Sequence, residues 1–273
     1  MMKNITLGQY YPADSVVHRL DPRVKIVLLI AFVVAVFLVP DLFGFVFVVL
    51  YLGLSCRLSR LPVRLLIKSI KPLRFILIFT FVLNLFFTGG KTELLNLGFA
   101  VLTREGLLNA IRYSLRLVFL VLGSSLLTLT TQPVTLTDGL ERLLSPLKVI
   151  RFPAHEMAMM MTIALRFIPT LLEEADKIMK AQSARGSDFE TGRLIQRVKA
   201  MVPLLVPLFV SAFRRAGDLA MAMEARCYHG GEGRTRLHIL KMQKNDWIAI
   251  GVTALLIVLI VLEGRFLSGY FAW

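Results

Sequence analysis

The sequence predicts an all-α integral membrane protein with about five transmembrane helices and a cytoplasmic or interfacial region of long amphipathic helices. Three observations carry this. Of the 273 residues, 56% are apolar and the mean hydropathy is +0.69, against roughly 45–50% apolar in soluble domains. The formal charge is +14, and the basic residues lie between hydrophobic runs, as they do in cytoplasmic loops of membrane proteins. The apolar residues fall either in unbroken runs or at helical spacing.

The chain is polar up to Arg23, so no cleavable signal peptide is expected. Asp21-Pro22 then reads as an N-cap followed by a first-turn proline. The first apolar run is Val24–Val39, broken by Pro40-Asp41, and the second is Leu42–Leu54. Both are short for a bilayer crossing of roughly 20 residues, and together they predict a helical hairpin. The Lys25 stem is expected to snorkel to the surface. From Arg57 to Arg74 stand six basic residues and no acid, which puts this loop and the N-terminus on the cytoplasmic side.

A third span is expected over Leu73–Thr88, then an outer loop to about Thr103, then a fourth span over Glu105–Thr131. Arg112 and Arg116 lie four apart in its outer half. Intramembrane arginines invite a functional reading; snorkelling, or pairing with Glu105 or Glu93, is the plainer one. Ser124-Ser125 offers small residues for close helix packing. The last span is Trp247–Leu262. Three segments follow: 1–132 as a membrane domain with four spans, 133–245 as a region of amphipathic helices, and 246–273 as a C-terminal span.

Within 133–245, Leu136–Ile150 predicts a short helix with Thr135 or Thr137 as its cap. Met157–Met179 shows apolar residues at spacings of one, three and four, with charges on the other face, which predicts a helix of about 30 residues. Pro169 should kink it. A second long helix is expected over Leu194–Arg226, with Pro203 and Pro207 inside.

Reaction chemistry is sparse. Cys56 and Cys227 lie far apart without a CxxC or Cys/His cluster. The four histidines show no metal-ligand spacing, so no metal, cofactor or catalytic residue is expected. Gly230-Gly231-Glu232-Gly233-Arg234-Thr235 lacks the Lys-[Ser/Thr] of a phosphate-binding loop and reads as a helix stop and linker. No intramembrane base accompanies a buried nucleophile. Nucleic-acid binding is disfavoured because no aromatic stacking platform accompanies the basic residues.

Two features remain. Ala184-Arg185 is followed after six residues by Gly192-Arg193, and Ala225-Arg226 after six residues by Gly233-Arg234, 41 positions later. Each Ala-Arg ends a long amphipathic helix. Alone, each would be a solvated C-terminus with an Arg favoured by the helix dipole. Repeated, with small neighbours (Ala184 and Gly186; Ala225 and Cys227), they suit two docking ends whose Arg meets a carboxylate in a groove. Methionine is also dense at Met157, Met159, Met160 and Met161, with Met221 and Met223 on the second helix. Such residues either fill a helix–helix core or form a surface for exchangeable partners.

His18-Arg19-Leu20-Asp21-Pro22-Arg23, Arg166-Phe167-Ile168-Pro169, Ala181-Gln182-Ser183-Ala184-Arg185-Gly186 and Met223-Glu224-Ala225-Arg226-Cys227-Tyr228 together resemble the transmembrane T component of energy-coupling factor (ECF) transporters, over nearly the whole chain. One position departs: Cys227 stands where the signature has Gly. The resemblance implies a non-catalytic, multi-pass subunit of an ATP-driven importer in the cell membrane. Ala184, Arg185 and Gly186, and Ala225, Arg226 and Cys227, would each dock one cytoplasmic ABC ATPase. A separate substrate-binding S component for vitamin or metal uptake would sit in the bilayer, with Met157, Met160, Met161, Met221 and Met223 facing it. An ordinary ABC permease that forms the pathway itself is the competing reading; two Ala-Arg ends in one chain argue against it.

Overall fold

The computed structural model describes residues 10–89, 93–96, 101–150, 152–187, 194–230 and 240–266. It is helical almost throughout, as the hydropathy and periodicity require. The chain divides into two compact units. One holds the described residues of 8–140 and 240–273, the other those of 141–239.

The first unit is the apolar one. α1 (Pro22–Leu38) starts as its sequence dictates: the Asp21 carboxylate accepts the Arg23 backbone N–H at 2.9 Å, and Pro22 occupies the first turn. α2 (Gly44–Ser59) follows a tight turn and ends at Arg60, whose φ is +54°. α3 (Val63–Ile70), a 3-10 turn (Lys71–Leu73) and α4 (Arg74–Phe87) form one apolar stretch from Val63 to Phe87. Residues expected to be a plain outer loop include a short antiparallel pair, β1 (Glu93–Asn96) and β2 (Val101–Thr103). α5 (Arg104–Thr130) is capped by Thr103, whose Oγ1 accepts the Gly106 N–H at 3.1 Å. α6 (Pro133–Leu144) comes next, and α9 (Lys244–Phe266) closes the unit.

Among the described residues, three helices are long and apolar enough to cross a membrane: Val63–Phe87, Arg104–Thr130 and Lys244–Arg265. α1 and α2 are apolar but shorter, at 17 and 16 residues. The core lies among α1, α2, α5 and α9, where Phe32, Val36, Phe45, Val48, Phe119 and Ile260 pack together. Two close approaches hold it. A Cβ on Gly123 would lie 2.5 Å from the Phe32 ring, and one on Gly44 would lie 2.7 Å from Glu263 Oε2.

Several expectations are corrected here. Lys25 does not snorkel: it is buried, and its Nζ donates to the carbonyls of His18 (3.1 Å) and Thr130 (3.0 Å) and to the Thr131 hydroxyl (3.2 Å). An ammonium has three donors, and all three bind protein. Arg112 reaches Asp41 at 3.3 Å, in the turn between α1 and α2. Arg116 donates to the carbonyls of Val39 (3.2 Å) and Phe37 (3.5 Å) and lies over the Phe37 and Tyr113 rings. It therefore satisfies carbonyls that the end of α1 leaves open. The small residue in the α1–α5 contact is Gly123, while Ser124 is exposed and bonds back to the Leu120 carbonyl. α6 begins at Pro133, ahead of the expected start, so Thr135 and Thr137 are not caps. Their hydroxyls donate back to Gln132, Pro133 and Val134 carbonyls.

Candidate functional site

The second unit is built on α7 (Ala154–Ala184) and α8 (Leu194–Glu224), two helices of 31 residues that pack on each other. Pro169 lies inside α7, and Pro203 and Pro207 inside α8. Each proline lacks the N–H of one ladder bond and crowds the turn before it. The pair is tied about two-thirds of the way along by Arg215, whose Nη2 donates to Glu174 Oε2 at 2.8 Å. The Ser211 hydroxyl and then Arg215 hold the Glu174 carboxyl below its ordinary range.

The two Ala-Arg ends have the same hydrogen-bond pattern. At the end of α7, Gly186 N–H donates to the Ser183 carbonyl (3.0 Å) and Ser187 N–H to the Gln182 carbonyl (3.0 Å). At the end of α8, Cys227 N–H donates to Glu224 (2.9 Å) and Tyr228 N–H to Met223 (3.1 Å). The outer bond spans five residues in both, and the residue inside it is left-handed in both: φ is +90° at Gly186 and +54° at Cys227. This is a Schellman-type stop, in which a left-handed residue turns the chain back to satisfy the last carbonyls. Glycine is the usual residue there because it has no Cβ. Ala184, Arg185, Gly186, Ala225, Arg226 and Cys227 are all exposed. The repeat in sequence is thus a repeat in backbone: two helix tips, each presenting an arginine before the reversal. Gly192-Arg193 and Gly233-Arg234 lie outside the described residues, as does the Gly-rich segment from Gly231 onward.

The second tip is anchored by a contact that sequence reasoning missed. The Tyr228 hydroxyl lies 3.5 Å from His155 Nε2 at the start of α7, and His155 Nδ1 lies 3.0 Å from Glu141 Oε1. The partners are 73 and 14 positions apart, so no local spacing announces them.

The methionines divide. Met157, Met160, Met161 and Met221 are exposed, Met160 and Met221 at 58% and 62%. Met223 is half-buried within the α8 tip. Four of the five therefore face outward rather than filling the α7–α8 contact.

Residues 13–237 match the family described as "Cobalt transport protein", CbiQ. The chain is 53% identical over 266 residues to an "Energy-coupling factor transporter transmembrane protein EcfT" of Clostridium kluyveri, covering 97% of this chain and 98% of that protein. It is 52% identical over 257 residues to the protein of the same name from Thermosediminibacter oceani, covering 94% and 97%. With the EcfT of Lactococcus lactis it shares 43% over 264 residues, covering 97% and 99%. A match that spans most of the chain, with identity this high across both the apolar unit and the α7–α8 unit, shows that the chain belongs to the CbiQ/EcfT family of transport membrane proteins.

Proposed function

We propose that this chain is the T component of an energy-coupling factor importer: a non-catalytic scaffold that carries ATP-driven motion to a separate substrate-binding membrane protein. The carrying observation is the pair of arginine tips with one backbone geometry. One shape presented twice fits one groove presented twice, as in a pair of ABC ATPases. Arg185 and Arg226 would each enter a groove and donate to a carboxylate there, with the small Ala184 and Ala225 allowing close approach. The segments divide the work: 1–132 and 246–273 form the membrane body, and 133–245 the coupling region, with the N-terminus cytoplasmic.

Two 31-residue helices with prolines inside them, tied by Arg215–Glu174, would make a lever. The exposed Met157, Met160, Met161 and Met221, with Met223 beside them, form the surface for the S component, which would bring the vitamin or metal. Thioether side chains repack readily against different apolar partners.

The test is Arg185→Glu combined with Arg226→Glu, scored by ATPase subunits retained on the purified membrane protein. Truncating or reversing a hydrogen-bonded interfacial charge costs about 2–5 kcal/mol, so retention should fall more than about tenfold. Each single change should fall less, because the other tip stays docked. Normal retention and uptake by the double variant, inserted at normal level, would refute the assignment.

A further inference from the structure

α1, α2, α5 and α9 enclose a cavity of about 160 Å³. Its walls are apolar: Leu28 and Phe32 from α1, Leu54 and Leu58 from α2, Ile248 and Val252 from α9. Five polar residues also line it, Lys25, Tyr51, Ser55, Thr130 and Asn245, and three of them are committed to other protein groups. Lys25 has its three donors on protein oxygens. The Thr130 hydroxyl donates to the Leu126 carbonyl at 2.7 Å, and the Tyr51 hydroxyl lies 2.9 Å from Thr253 Oγ1. A water needs about two to four polar partners, and apolar cavities of about 150 Å³ stay dry or take benzene-sized groups. The cavity thus suits about six carbons of hydrocarbon. Val16, Leu54, Leu58 and Ile248 line it and are themselves exposed, so it opens onto the apolar outer surface.

Basic residues adjoin the lining in sequence on that side. Arg57 and Arg60 flank Leu58 in sequence, Lys244 precedes the wall residue Asn245, and all three are exposed. Arg60 uses one donor on the Asp14 carbonyl at 3.3 Å and keeps the rest of its five. The acids here are hydrogen-bonded or ion-paired. Asp246 is buried and accepts the backbone N–H of Asp21 (2.8 Å) and of Gln243 (2.7 Å). Asp14 is paired with Arg19 and Asp21 with Arg23. Trp247 is exposed beside the rim, an amphipathic ring suited to the headgroup level.

We infer that an anionic diacyl phospholipid is seated between the end of α2 and the start of α9, one chain entering the cavity and its phosphate among Arg57, Arg60 and Lys244. A bilayer lipid is the occupant because the cavity opens onto lipid-facing hydrocarbon and the cations sit where that hydrocarbon ends. Each engaged cation should enrich the anionic lipid by roughly fivefold.

The test uses the full chain carrying Trp273→Phe, which leaves Trp247 as the sole tryptophan, reconstituted in phosphatidylcholine vesicles. Quenching of Trp247 by a low mole fraction of brominated phosphatidylglycerol is compared with quenching by brominated phosphatidylcholine. We expect stronger quenching by phosphatidylglycerol, at least about fivefold enriched and displaced by the unbrominated lipid. Arg57→Gln with Arg60→Gln and Lys244→Gln should abolish the preference. Ala249→Phe, which fills the cavity, should abolish it independently. Equal quenching by the two lipids would overturn the inference. So would a preference that survives the filled cavity, which would mean surface charge alone, or stronger displacement by oleate than by phosphatidylglycerol, which would mean a single-chain anion.

Discussion

Cys227 holds a backbone conformation that penalises any residue with a Cβ, by about 1–2 kcal/mol. Gly186 holds the equivalent position of the other tip at φ +90° without that penalty. Substitution should therefore have opposite signs at the two ends. Cys227→Gly should stabilise the α8 cap by about 1 kcal/mol, seen as slower hydrogen exchange at the Tyr228 amide. Gly186→Ala should weaken the α7 cap by a similar amount, although a Cβ there meets nothing within 4 Å, and should speed exchange at Ser187. Equal behaviour at the two positions would mean that the left-handed geometry is not shared. His18 offers a pH handle at the same scale. Its Nε2 lies 3.0 Å from the Tyr11 carbonyl, which can only accept, so Nε2 carries the hydrogen and Nδ1 accepts from Ser15 at 2.6 Å. Burial pushes its pKa below the ordinary value of 6.5. The folded segment thus favours neutral His18. Its contribution is present above the unfolded pKa and is lost as pH falls below it. Protease sensitivity of residues 10–20 should rise on acidification below about pH 6.5, and His18→Gln should remove that dependence.

At the scale of the element, the α1–α5 contact is set by one glycine. With a Cβ 2.5 Å from the Phe32 ring, Gly123→Val should cost about 1–3 kcal/mol of overpacking, read as a lower unfolding temperature in detergent. Phe32→Leu should recover part of it, since the two changes share one space. This contact also shows what the sequence could and could not disclose. Helix identity, the Asp21-Pro22 start and the two Ala-Arg ends were legible, because each is written in neighbouring residues. Partners across space were not. Ser124-Ser125 looked like the packing pair because composition cannot say which face of α5 meets α1. Lys25 looked like a snorkelling residue because its three acceptors come from two separate segments, His18 and Thr130-Thr131. The partners of Arg116 were not legible because the open carbonyls it serves belong to another helix. Thr135 and Thr137 lie inside α6 because Pro133, a good first-turn residue, starts the helix ahead of them. The Arg185 and Arg226 tips were found because a duplication needs no knowledge of the fold.

At the scale of the molecule, the proposed sidedness is read at the basic segment between α2 and α3. Ser59 lies in the basic segment but is fully buried, so a cysteine there would be silent from either side. Pro62 is exposed. With Cys56→Ser and Cys227→Ser as background, Pro62→Cys should resist an impermeant maleimide in intact cells and react once they are opened; labelling from outside would invert the proposed topology. A further consequence follows from the helix lengths. α1 and α2 have 17 and 16 residues, or about 25 and 24 Å of helix, against a hydrocarbon core of about 30 Å. Spans this short are met by a bilayer that thins around them, at a cost of fractions of a kcal/mol per Å. The protein is thus a local dent in its own membrane, and its thermal stability should decline steadily as the acyl chains of the host lipid lengthen.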